Sequence, residues 1–252
     1  MIDLHTHVLA GIDDGPDDLA GSVAVAEVAA HGGVRTLVAT PHLRADHPAV
    51  RPHELARRAA ELSDHLRERG LPVEIVPGAE VDLQAAGELT DDELRLATLA
   101  GNGRDLLLET PYRRLPRSFE DQVLALAERG FRITLAHPER SGELKQHPER
   151  VGALVERGVL VQLTARSLAA RPSKTAAVLL ERGWVHVLAS DAHAVDMRPP
   201  DLGASLRHAA EAFPHARAEL EWMVTAAPRA ILDGRPLPDR PEREARRRWW
   251  RR

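Results

Sequence analysis

Cysteine is absent from the 252-residue chain. Its absence excludes disulfides, thiolate metal ligands and any mechanism built on a cysteine nucleophile. Aromatic residues make up only 3%, so the core has to be assembled from alanine, leucine and valine. No apolar run approaches the ~20 residues of a membrane span, and the start lacks the basic segment of a signal peptide; a cytoplasmic protein is expected. Excess positive charge is missing too. With 34 Lys and Arg against 38 Asp and Glu, the net charge of −4 gives no argument for a nucleic-acid partner. What remains is an ordinary soluble composition, long enough for one large domain or two small ones.

Seven short apolar runs bounded by turn residues read as buried parallel strands. They are residues 1–7, 36–42, 73–81, 105–111, 132–140, 159–165 and 185–193. Amphipathic stretches such as PHELARRAAELSDHLRERG and SFEDQVLALAERG lie between them. Gly70, Gly130, Gly158 and Gly183 each follow an Arg and close such a stretch, which fits a left-handed residue just past a helix end with a cation near the negative pole of the dipole. No GxGxxG fingerprint follows the first strand. The strand–helix unit, repeated about seven times, predicts an α/β protein whose strands either close into a barrel or spread into a doubly wound sheet. A domain over residues 1–238 is expected, followed by a disordered Arg/Trp-rich tail over 239–252.

A barrel carries its chemistry at the C-terminal ends of its strands. Those ends hold His5 and His7, His42, Glu80, Glu109, His137, and Asp191 with His193. Residues i and i+2 of a strand share a face, so His5/His7 and Asp191/His193 can each project as a pair. Asp14 follows the first strand in a loop turned by Gly15-Pro16; Asp13 competes with it, since adjacency leaves open which carboxylate turns inward. One HxH pair is weak evidence, but eight ligand-type residues at six strand ends, with a ninth in the loop after the first, are not expected by chance. The sixth strand ends in QLTARS and offers no evident ligand.

Other histidines read more plainly. His31 suits a helix end, and His53, His65, His147, His208 and His215 read as solvated, while His47 and His186 are near the site only in sequence. Asp3 shares a face with His5 and is expected to orient His5 or His7 from behind. Arg140 and Arg198 are candidates for phosphate, because a guanidinium matches its oxygens bidentately.

Imidazoles and carboxylates without thiolate suit Mn, Zn or Fe, and nine ligands exceed one tetrahedral ion. Two or three clustered metals can activate water and clamp the attacking and leaving oxygens of a phosphoryl displacement. With arginines for the outer oxygens, the set describes a phosphoesterase. Amide or lactone hydrolysis is chemically open, since HxH on a first strand does not discriminate.

The motifs HTH (5–7), TPH (40–42), GAE (78–80), ETP (109–111), AHPER (136–140) and SDAH (190–193) resemble those of the polymerase-and-histidinol-phosphatase (PHP) superfamily. Within it, IDDGP, AHPER and APRAILDGRPL resemble the CpsB/YwqE type of bacterial tyrosine phosphatase, from Met1 to about Pro238. The resemblance implies a distorted (β/α)7 TIM-like barrel, a trinuclear site preferring Mn2+, with Zn2+ or Fe2+ as alternatives, and hydrolysis of phosphotyrosine without the cysteine of the common tyrosine phosphatases. It implies a protein substrate, a membrane-associated bacterial tyrosine autokinase controlling capsule or exopolysaccharide export. It also implies one metal held by His5, His7, Glu80 and Asp191, a second by Glu80, Glu109 and His137, and a third by Asp14, His42 and His193. Arg140 and Arg198 would cradle the phosphate. Histidinol phosphatase and a non-catalytic scaffold are the rival readings, the first disfavoured by IDDGP and the second by the complete ligand set. Two departures stand out. Arg166 occupies a position usually small, where it can alter access or add a phosphate contact. The tail DRPEREARRRWWRR offers Arg and Trp to an anionic lipid surface, at the inner face of the membrane.

Overall fold

The computed structural model describes residues 1–112, 114–169 and 171–244. All strand pairings are parallel and helices connect the strands, so the chain is α/β. The strands are β1 (Ile2–Thr6), β2 (Thr36–Ala39), β3 (His42–Leu43), β4 (Glu74–Pro77), β5 (Glu80–Val81), β6 (Asp105–Glu109), β7 (Arg132–Ala136), β8 (Leu160–Thr164) and β9 (Val187–Ala189). Two of the seven expected strands are broken. The run 36–42 divides into β2 and β3 around Thr40-Pro41, where proline has no N–H to give a ladder, and 73–81 divides into β4 and β5 around Gly78-Ala79.

The breaks divide the strands between two sheets, β1-β2-β4 and β3-β5-β6-β7-β8-β9, rather than one closed cylinder. An isolated parallel bridge, Thr6 with Ala192, brings the end of β1 to the segment after β9. Two backbone bonds reinforce it, His7 N to Ala192 O at 2.8 Å and Asp191 N to His5 O at 2.9 Å. β7 and β9 also stop short of their expected ends, because His137 and Asp191 take left-handed conformations with φ of 37° and 54°.

The helices form where the amphipathic stretches predict. Pro52 starts the helix Pro52–Glu68, which buries Leu55, Ala59, Leu62 and Leu66 along one stripe. Gly70, Gly130, Gly158 and Gly183 have φ of 72°, 96°, 88° and 73°, the conformation expected just past a helix end. The larger apolar cluster includes Val23, Leu55, Leu66, Leu106, Leu108 and Leu179. A second cluster gathers Ile2, Leu4, Val38, Leu107, Ala136 and Val187 from the strands with Ile231 and Leu232 of the helix Ala226–Leu232. Leu107 is two residues before Glu109 on one face of β6, so this cluster forms the floor beneath the polar strand ends.

The segment expected to be a solvated tail is docked as far as Glu244. Arg243 Nε donates to Glu219 Oε2 at 2.5 Å and Arg240 Nη1 to Glu219 Oε1 at 3.0 Å. Arg240 also reaches the carbonyls of Gly183 and Val185 and lies over the Trp222 ring. Glu219 is 1% exposed, so a buried carboxylate recruits two cations that the composition alone would leave in solvent. Residues 245–252, and with them the tryptophan pair considered for lipid contact, lie outside the described residues. No helix among the described residues is long and apolar enough to cross a membrane.

Candidate metal centre

The strand ends bring all nine sequence-selected ligand residues into one continuous cluster. Four overlapping groups have ligand atoms close enough to share an ion: His7/Asp14/His42/His193, His5/Glu80/His137, His5/His7/Asp191 and His42/Glu80/Glu109. The groups share His5, His7, His42 and Glu80. His137 groups with His5 and Glu80, Glu109 groups with His42 and Glu80, and His7 joins the Asp14 set. Strand register accounts for part of this, since β3 and β5 pair His42 directly with Glu80.

His5 Nε2 is 3.3 Å from Glu80 Oε2 and 3.4 Å from Asp191 Oδ1, and His42 Nδ1 is 3.0 Å from Glu80 Oε2. His193 Nε2 is 3.1 Å from Asp14 Oδ1. Ligand atoms bonded at 2.0–2.2 Å to one ion stand roughly 3.0–3.5 Å apart, so this spacing suits a shared cation. His42 Nδ1, Glu80 Oε2 and Asp191 Oδ1 are buried, and their close contacts are not aligned as hydrogen bonds, an arrangement that is costly unless a cation satisfies them. The donor set therefore fits divalent metal.

The residues behind the ligands were only partly legible. His7 Nδ1 donates to Asp13 Oδ2 at 2.7 Å, and the same oxygen accepts from His42 N at 3.0 Å. Asp13 thus aims His7, while the half-exposed Asp14 joins the cluster. Gly15 permits this wrap, because a Cβ there would collide with the His7 carbonyl. His5 Nδ1 is held by Gln162 Oε1 at 3.1 Å, so β8 contributes a positioning residue although it has no ligand. Asp3, expected behind His5 or His7, instead accepts from Ser190 N at 2.9 Å. Burial raises the Asp3 carboxyl to about 6. It anchors the backbone that leads to Asp191.

The electrostatics follow from this crowding. Burial pushes the Glu80 and Asp191 carboxyls up, but the facing His5 and His137 more than offset it and hold both well below the usual range. Glu109 is raised by burial and by the neighbouring Glu80 charge. His193 is lowered to about 4, chiefly by burial, with His7 and Arg198 adding to the effect.

Arg140, at the end of the short helix Pro138–Arg140, and Arg198, on the loop after β9, converge on one oxygen. Both donate to Asp191 Oδ2, Arg198 Nη2 at 2.5 Å, and Arg198 Nη1 is 2.7 Å from His193 Nε2. His137, Asp191 and Arg198 all have positive φ, the last 120°. Such strain persists where surrounding structure enforces it and is common at functional sites. Arg166 is not part of the cluster; it pairs with Asp201 at 3.0 Å.

Two mouth residues went unselected in the sequence. Arg44 lies 3.3 Å from Glu109 Oε1, and Tyr112 stacks on His137. Among the other histidines, His47 stacks on His42 without joining a ligand group. His186 accepts from Val161 N. His215, expected in solvent, is largely buried beside Glu181 at 3.3 Å.

A family described as capsular polysaccharide synthesis, CpsB/CapC, matches residues 1–232. The chain is 31% identical over 253 residues to the tyrosine-protein phosphatase YwqE of Bacillus subtilis, covering 98% of each chain. It is 31% identical over 216 residues to the tyrosine-protein phosphatase CpsB of Streptococcus pneumoniae, covering 79% of this chain and 86% of that one. A crystal structure from work on YwqE and CpsB, described as unique metal-dependent tyrosine phosphatases, superposes with a TM-score of 0.81 at 29% identity, covering 98% of this chain and 100% of that one.

Proposed function

The chain belongs to the CpsB/CapC family, and from that premise we propose that it is a metal-dependent phosphomonoester hydrolase acting on protein phosphotyrosine. The carrying observation is convergence: nine imidazole and carboxylate ligands, with buried atoms among them that lack an aligned hydrogen bond, meet two arginines that reach a single point. We read the seven strand runs as a distorted barrel whose mouth is this site.

His5, His7, Asp14, His42, Glu80, Glu109, His137, Asp191 and His193 would hold two or three ions. Nitrogen and oxygen donors without thiolate suit Mn2+, with Zn2+ or Fe2+ as substitutes. Bound there, the ions supply Lewis acidity at the phosphoryl group. Arg140 and Arg198 take its outer oxygens and stabilise the charge that develops on them. Asp13 and Gln162 keep His7 and His5 aimed, so the ligands need no rearrangement. A phenolate leaves more readily than an alkoxide, which reduces the demand for a general acid.

The relatives' names support a phosphorylated protein substrate in capsule synthesis. The partner in this reading is a membrane-associated bacterial tyrosine autokinase controlling capsule or exopolysaccharide production, met from the cytoplasmic side. Phosphate release from a phosphotyrosine peptide, followed through chelation and re-addition of Mn2+, Zn2+ or Fe2+, tests the proposal. Release should vanish with chelator, return with metal and be abolished by His5→Ala. Release indifferent to chelation would refute it.

A further inference from the structure

The ligands and arginines leave Tyr112, the single tyrosine of the chain, without a part in this chemistry. Its ring lies nearly parallel to His137, with centroids 5.3 Å apart and planes at 11°. Its phenol oxygen accepts from Arg140 Nη1 at 3.3 Å, and its carbonyl accepts from Gly142 N at 3.0 Å. The ring is therefore fixed against a metal-ligand candidate on one side and tethered to a phosphate-directed arginine. No second ring stacks on it among the described residues, and the residue is 39% exposed at the mouth. On the loop of the other arginine, Val195 and Met197 are 42% and 76% exposed, so both arginines have apolar neighbours at the rim. The face of the ring turned away from His137 is thus open to a ligand.

We propose that Tyr112 is the aryl-recognising wall of the site. A phosphomonoester gripped through its phosphoryl oxygens by Arg140 and Arg198 lays its aromatic ring along the open face of Tyr112, which sets a preference for aryl over alkyl phosphomonoesters. The inference rests on the phosphatase reading and names the residue that selects its substrate class. Offset aromatic pairs with centroids 4.5–7 Å apart gain a contribution beyond area burial that corresponds to about 3- to 10-fold in affinity. A saturated ring of similar size gains the burial but not that contribution.

The test is calorimetric binding of benzylphosphonate, cyclohexylmethylphosphonate and methylphosphonate to Mn2+-loaded wild type, Tyr112→Leu and Tyr112→Phe. Wild type should bind the benzyl compound about 3- to 10-fold more tightly than the cyclohexylmethyl compound. Tyr112→Leu should lose that preference, and Tyr112→Phe, which keeps the ring, should retain it. Methylphosphonate, which lacks a ring, should bind all three proteins equally and so report an intact phosphate cradle. An aryl preference that survives in Tyr112→Leu, or is absent from wild type, overturns the proposal. So does parallel loss of methylphosphonate binding in Tyr112→Leu, because Tyr112 would then act only by holding Arg140. Binding needs no turnover, so failure of the phosphatase reading, seen as no phosphate release from a phosphotyrosine peptide, is scored separately.

Discussion

Asp13→Asn separates aiming a ligand from being one. Asp13 Oδ2 accepts from His7 Nδ1 at 2.7 Å and from His42 N at 3.0 Å, while Oδ1 accepts from Gly15 N at 3.1 Å. An amide has one acceptor oxygen, so the substitution must give up either the His7 and His42 bonds or the Gly15 bond. It also removes the negative charge that makes the opposite imidazole nitrogen a better ligand. Replacing such an outer partner of a ligating histidine costs about 10- to 100-fold in metal affinity, or about 1.4–2.7 kcal/mol. Asp14→Asn removes a candidate ligand oxygen itself and should lower the number of ions retained per chain. The assay is calorimetric titration of Mn2+ into the chelated proteins, with metal content measured after dialysis. Asp13→Asn should retain the wild-type stoichiometry with weakened binding. Wild-type affinity in Asp13→Asn would refute the reasoning, and loss of a whole ion there with only weakened binding in Asp14→Asn would reverse the two roles.

Three further outcomes are expected. Arg140→Ala and Arg198→Ala should each lower kcat/KM on a phosphotyrosine peptide about 10²- to 10³-fold, with lysine restoring little because it cannot fork; full rescue by lysine would contradict the bidentate role. Truncation after Asp239 removes both cations from the buried Glu219 and should cost about 3 kcal/mol in urea unfolding, against no change if the segment were merely solvated. His186 is lowered to about 3, mainly by burial and then by Arg240. The unfolded chain takes up this proton first, so the stability is fully present above about 6.5 and is lost as pH falls towards 3, by about 2 kcal/mol at pH 5. Comparing wild type with His186→Gln in urea at pH 7.5 and 5 isolates this loss; equal acid sensitivity would refute it.

The ligand residues were legible because short apolar runs followed by ligand-type residues mark the C-terminal side of parallel strands, and His5 and His7 share a face by period alone; the stops of β7 and β9 were not, because the left-handed turns at His137 and Asp191 leave no pattern in sequence. The breaks at Pro41 and Gly78 were not, since a pattern read over seven residues does not register where two sheets part. Asp13 and Asp14 are adjacent, so only the three-dimensional turn at Gly15 could separate them. Gln162 was missed because its value lies in reaching His5 across 157 residues of sequence, and a lone glutamine has no spacing to mark it. Arg240 and Arg243 looked like tail charge because Glu219, the buried carboxylate that holds them, resembles any other helix glutamate in sequence. Tyr112 lay one residue beyond the ETP motif, and only its stack on His137 distinguishes it.

The most direct test of the central claim is kcat/KM for phosphate release from a phosphotyrosine peptide and from histidinol phosphate, measured with one Mn2+-loaded preparation. The account predicts strong preference for the peptide, lost in His5→Ala. Preference for histidinol phosphate would leave the metal cluster in place and contradict the assignment to protein phosphotyrosine.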